Sequence, residues 1–72
     1  MTDSKAVREL IQSKGLKLKY IAKQLGLSDY GFLKKLDNIS EFRPSEINKL
    51  CEILDITSLK EKDRLFFKKK SD

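Results

Sequence analysis

Six residues close together in the chain, Ser28, Asp29, Tyr30, Leu33, Lys34 and Asp37, carry the side chains best suited to recognition chemistry. If Phe32 and Leu36 are buried at their four-residue spacing, these six point outward from one helix. Base edges of nucleic acid are read by Arg, Lys, Asn or Gln, which make paired hydrogen bonds to purines. Of that set the face offers Lys34 alone. Asp29 and Asp37 would meet a phosphate lattice with like charge, although one acidic side chain can accept a bond from cytosine. Tyr30 and Leu33, three residues apart, form an apolar pair bordered by charges, the composition of a protein-binding patch. Three readings of this face stand side by side. Leu33 widens the core stripe while Tyr30 lies on the surface, or the pair docks a partner protein, or the helix touches bases. Lys17, Lys19, Lys35 and Arg43 are the surrounding cations suited to phosphate or to an acidic partner.

Catalytic chemistry has no comparable support. The chain has no histidine and one cysteine, Cys51, so neither a histidine-based triad nor a zinc site can be built from it. A lone cysteine also excludes an intrachain disulfide and suits a reducing compartment. Cys51 falls within an apolar stripe and reads as a small core residue. Carboxylates and lysines are plentiful, yet no motif marks any of them. The expectation is a protein that is not an enzyme and has no cofactor, no metal and no small-molecule substrate.

The elements that must position the face are helical. The stretch from Leu16, LKLKYIAKQLGLSDYGFLKKLD, reads as a helix over Leu18–Leu25, a turn, and a third helix over Asp29–Asp37. Ile21, Ala22 and Leu25 supply one apolar side, and the small Ala22 lets two helices cross closely. Gly26 suits a helix end at positive φ, and Ser28 can cap the next helix. Upstream, Asp3 or Ser4 caps a first helix ending near Lys14 and Gly15, with Val7, Leu10 and Ile11 as its seam. Downstream, Asn38 to Arg43 reads as a loop and Pro44 suits the first turn of a fourth helix. Ile47, Leu50, Cys51 and Leu54 continue that helix with an i, i+3, i+4, i+7 stripe. Ile56 should plug the core after a turn at Asp55. Ser58 and Glu61 have capping-box spacing for a fifth helix, from which Leu59, Leu65 and Phe66 could return to the core while Phe67 points elsewhere. No alternating strand pattern occurs. The fold class expected is all-α, a four- to five-helix bundle, over one domain at 1–67. Residues 68–72 read as a short basic tail without an apolar anchor.

Seventy-two residues make one small domain. The net charge of +5 is unevenly spread. Residues 1–38 carry eight Lys/Arg against four Asp/Glu, residues 39–59 two against four, and residues 60–72 six against three. The basic ends favour polyanions, and the acidic middle offers a surface of opposite sign. No apolar run approaches the roughly 20 residues that span a membrane. No secretory signal pattern appears, so a cytoplasmic location away from membranes is expected.

VRELIQSKGL, IAKQLGLS, the Phe32/Leu36 stripe and PSEINKLCEILDI together resemble the Cro and phage-repressor (XRE-type) helix-turn-helix family, over Val7 to Ile56. The resemblance implies a five-helix bundle whose helix after the turn enters the major groove. The size, and the ending LFF plus lysines, resemble the small regulators that temperate phages of Gram-positive bacteria encode beside their repressors. That likeness implies a role in the lysis–lysogeny switch of a bacterial host. The partners it implies are the cognate phage repressor, operator DNA, or both. Two positions depart from the family. Leu18 stands where a polar, phosphate-touching residue is common, with Lys17 and Lys19 flanking it. Gly31 lies inside the third helix, at a cost of about 1 kcal/mol relative to Ala. A face poor in base-reading residues suits an antirepressor that docks on the repressor's basic DNA-binding surface. Two alternatives remain. One is a Cro-type repressor binding operator DNA as a dimer, with Phe66 and Phe67 as candidate dimer contacts, although core closure is the favoured reading of that pair. The other is an antitoxin-like or host-directed interaction module using the acidic helix at Glu46, Glu52 and Asp55.

Overall fold

Local capping chemistry sets the element boundaries. The structure, a computed structural model, describes residues 1–69. Five helices follow one another: α1 Ser4–Ser13, α2 Leu18–Gln24, α3 Asp29–Leu36, α4 Pro44–Ile53 and α5 Leu59–Phe66. No strand occurs among the described residues. The Asp3 carboxylate accepts the Ala6 N–H at 3.2 Å and starts α1. Ser28 and Ser58 hydroxyls do the same for α3 and α5, accepting from Gly31 N and Glu61 N at 3.0 and 3.3 Å. Such caps satisfy N–H groups that the helix itself leaves free. Gly15 and Gly26 end α1 and α2 at φ +68° and +72°, a conformation that costs glycine little. At the ends of α3 and α4, Asn38 and Asp55 take the left-handed conformation instead, at φ +64° and +56°.

Each helix turns one apolar stripe inward. Val7, Ile11, Ile21, Ala22, Phe32, Leu36, Ile47, Leu50, Cys51, Leu54, Ile56, Leu65 and Phe66 form the core. α2 packs on α3, and α5 on α1. Phe42, from the loop before α4, joins two helices that do not touch through their own rings. Its centroid lies 6.1 Å from both Phe32 and Phe66, edge-on to the latter. Two expectations about α5 separate here. Leu65 and Phe66 are buried, whereas Leu59 is 78% exposed. α5 turns Leu65 and Phe66 toward the bundle, and its first residue lies outside that stripe.

Two polar contacts tie elements distant in sequence. Lys35, from α3, places its ammonium 2.6 and 2.8 Å from the two Glu46 carboxylate oxygens of α4. Both side chains are largely buried. Glu46 Oε1 also accepts the Arg43 N–H at 2.8 Å, so the same carboxylate caps α4. At the other edge Asn38 clasps the N-terminal strand of chain. Its Oδ1 accepts the Thr2 N–H at 2.8 Å and its Nδ2 donates to the Thr2 carbonyl at 2.9 Å. Asp3 N–H donates to the Leu65 carbonyl at 2.7 Å, and Lys68 N–H to the Met1 carbonyl at 2.8 Å. Lys68, the first residue of the expected tail, is thus tied to the domain. The rest of that tail from 70 onward lies outside the described residues.

Burial alone would raise the Glu46 carboxyl, but hydrogen bonds from Lys35 and the Arg43 N–H outweigh it and hold the pKa below its ordinary value. Glu46→Ala strands a buried ammonium and a cap N–H, so urea denaturation should show a loss of about 3–5 kcal/mol. Joint replacement of Lys35 and Glu46 by Met should recover much of it. The pH dependence has a definite sign. A carboxyl with a lower pKa folded than unfolded stabilises the protein above its unfolded value of about 4.3 and loses that effect as pH falls through the folded value. The urea midpoint should therefore hold through neutral pH and fall below about pH 4, with a shallower fall in Glu46→Gln.

Candidate interaction surface

The cap at Ser28 decides how α3 presents its outer face. Because its Oγ accepts from Gly31 N, Ser28 is a structural group as much as a surface one. Gly31 has a matching reason to lack a side chain. A Cβ there would stand 3.0 Å from that same Oγ, closer than carbon and oxygen sit comfortably. The glycine inside α3 therefore protects the cap.

Around this helix start, the six sequence-selected residues divide into two groups. Asp29, Tyr30, Leu33 and Lys34 form the outward group. Tyr30 is 73% exposed, the most exposed aromatic of the chain. Lys34 Nζ lies 5.5 Å from the Tyr30 ring centroid, which directs the cation along the aromatic face. Leu33 is half-buried. It lines a shallow groove with Leu18, Lys19, Asp29 and Phe32, where α2 and α3 diverge. Leu18 is therefore a groove wall.

Asp37 belongs to the other group. Its Oδ1 accepts from Arg8 Nη2 at 2.8 Å and from Ser4 Oγ at 3.0 Å, which ties the end of α3 to α1. The Arg8 and Ser4 hydrogen bonds hold its carboxyl below the ordinary value. One of the two aspartates facing outward by helical periodicity is thus committed within the fold. Lys35 is committed likewise, to Glu46. The remaining cations, Lys17, Lys19 and Arg43, are exposed and form no ion pair among the described residues. The acidic trio on and after α4 is broken up too, since Glu46 is buried while Glu52 and Asp55 are exposed.

What remains is an aromatic and aliphatic pair, one carboxylate and one cation turned onto the ring, beside a small apolar groove. Such a surface can bury apolar area and accept a cation at Asp29. It has few groups able to fork onto a base edge. The fold is an all-α five-helix domain with an exposed aromatic side chain on α3. No protein-family model, no curated protein and no solved structure matches the chain. The cap geometry makes a measurable non-additivity. Gly31→Ala alone should gain much less than the about 1 kcal/mol of helix propensity, because the new methyl displaces the Ser28 hydroxyl. In a Ser28→Ala background, already weakened by about 1 kcal/mol, the same substitution should gain its full amount. Urea denaturation of the four proteins of the cycle reads the difference.

Proposed function

We propose that this chain is a small helix-turn-helix regulator of the Cro and phage-repressor type, acting in the bacterial cytoplasm as an antirepressor in a phage lysis–lysogeny switch. It works by binding, without chemistry of its own. The α3 face docks on the DNA-binding domain of the cognate repressor and competes with the operator for it. A repressor surface that neutralises phosphates is cationic, so a cation from it can meet Asp29 and the Tyr30 ring face. Tyr30 and Leu33 supply the apolar anchor that charge steering alone lacks. The observation that carries this reading is the state of Tyr30, an aromatic ring 73% exposed on the helix that follows the turn. The commitment of Lys35 to Glu46 supports it, because it leaves Lys34 as the face's only purine-reading side chain. No helix among the described residues is long and apolar enough to cross a membrane.

A second reading has its own support. Lys17 and Lys19 precede and begin α2 without ion-pair partners among the described residues, where they could hold operator phosphates. That is the placement needed by a Cro-type repressor, and also by a repressor–antirepressor pair that touches DNA together.

Binding of the repressor's isolated DNA-binding domain, followed by calorimetry, separates the two. Tyr30→Ala and Leu33→Ala should each weaken the complex at least tenfold, with helicity retained by circular dichroism. Unchanged affinity in both variants would exclude α3 as the interface. Sub-micromolar, salt-dependent binding of operator DNA by the chain alone would favour the Cro-type reading.

A further inference from the structure

A second surface lies on the outer side of α5. Phe67, the residue just past the helix, is 55% exposed. Together with Lys60, Arg64, Lys68 and Lys69 it lines an open depression whose other walls are Ser58, Glu61 and Asp63. Lys60 and Arg64 stand one helical turn apart, about 6 Å along the axis. Lys68 is partly neutralised by Asp3 at 3.7 Å. Lys60, Arg64 and Lys69 form no ion pair among the described residues. The surface thus presents one aromatic ring among several cations, with two carboxylates, Glu61 and Asp63, on its walls.

Charge complementarity limits the occupant. A second copy meeting this face about a two-fold axis would bring four cations against only two carboxylates from each copy, an excess of positive charge on both sides. A lipid surface rewards a broad apolar face. Leu65 and Phe66 are turned into the core and the exposed Leu59 lies outside the depression, so Phe67 is the one apolar side chain among its lining residues. An extended polyanion with unstacked flat groups fits both features, since the cations can follow successive phosphates while a base stacks on the ring. We infer that the outer face of α5 binds single-stranded nucleic acid, with Phe67 as the stacking platform and Lys60, Arg64 and Lys69 as phosphate contacts. This site is separate from the α3 face and does not depend on what that face binds.

Fluorescence anisotropy on the full chain tests it, with a labelled oligothymidylate of about 15 nucleotides as probe. Phe67→Ala should weaken binding at least fivefold, Phe67→Tyr should keep it, and Phe67→Leu should not restore it. Lys60→Gln with Arg64→Gln should lower the slope of log affinity against log salt by about 0.7 per lost contact. Circular dichroism confirms that each variant is folded. Equal or tighter binding of a duplex of the same length would overturn the inference. So would unchanged affinity in Phe67→Ala, or equal competition by poly-glutamate or by phosphatidylglycerol-containing vesicles.

Discussion

The arrangement of the second half of the molecule depends on one carboxylate. Glu46 fills three valences at once, two toward the Lys35 ammonium and one toward the Arg43 N–H. The first pair fixes the C-terminal half of α3 against the start of α4, and the third bond fixes where α4 begins. A buried ion pair gives little net stability over a well-packed apolar pair, since desolvation offsets most of the attraction. What it provides here is direction. An apolar contact would let α3 rotate or slide on α4, whereas a forked ammonium–carboxylate contact holds one register. On the same helix Tyr30 is exposed and Leu33 is half-buried.

The same commitment reshapes the surface charge. Asp3, Asp37 and Glu46 each bond to a cation and to a cap or hydroxyl within the fold. The cations they hold are Lys68, Arg8 and Lys35. Among those left over are Lys17, Lys19 and Lys23 before and along α2, and Lys60 and Arg64 along α5. An exposed aromatic ring lies on α3 at Tyr30, beside Lys34, and another lies just past α5 at Phe67, beside the α5 cations. Local charge density, more than the total, steers an anionic or cationic partner.

Features set within one turn of chain are those that the residues announce. Asp3, Ser28, Pro44 and Ser58 mark helix starts, and Gly15 and Gly26 mark ends, because capping needs only neighbouring atoms. Five apolar stripes follow from the same periodicity. Phe42 carries no such signal, since a loop has no period, yet it bridges Phe32 and Phe66. The rotation of α5 is set by its neighbours, which leaves Leu59 outside. Periodicity places Lys35 and Asp37 on or beside the outer face of α3. Their partners are eleven and twenty-nine positions away, and no local rule reaches that far. The Tyr30 exposure expected from the pattern is observed. Leu33 is half-buried, between the outward position that the pattern assigns it and the groove that it lines with Phe32.

The Asn38 clasp gives the domain a temporal order as well as a shape. The helices α1 to α4 are joined by short turns, so their contacts close small loops at little entropic cost. The side chain of Asn38 instead captures a backbone 36 positions away, and Met1 meets Lys68 across 67. Closure of such wide loops carries the largest entropy loss in the chain, repaid only by a few hydrogen bonds. These contacts are expected to form after the transition state for folding and to be the first released on opening. Asn38 follows α3 and Leu65 lies on α5, so release of the N-terminal segment frees the ends of both helices. The N-terminal segment thus joins the ends of two helices that are remote from it in sequence.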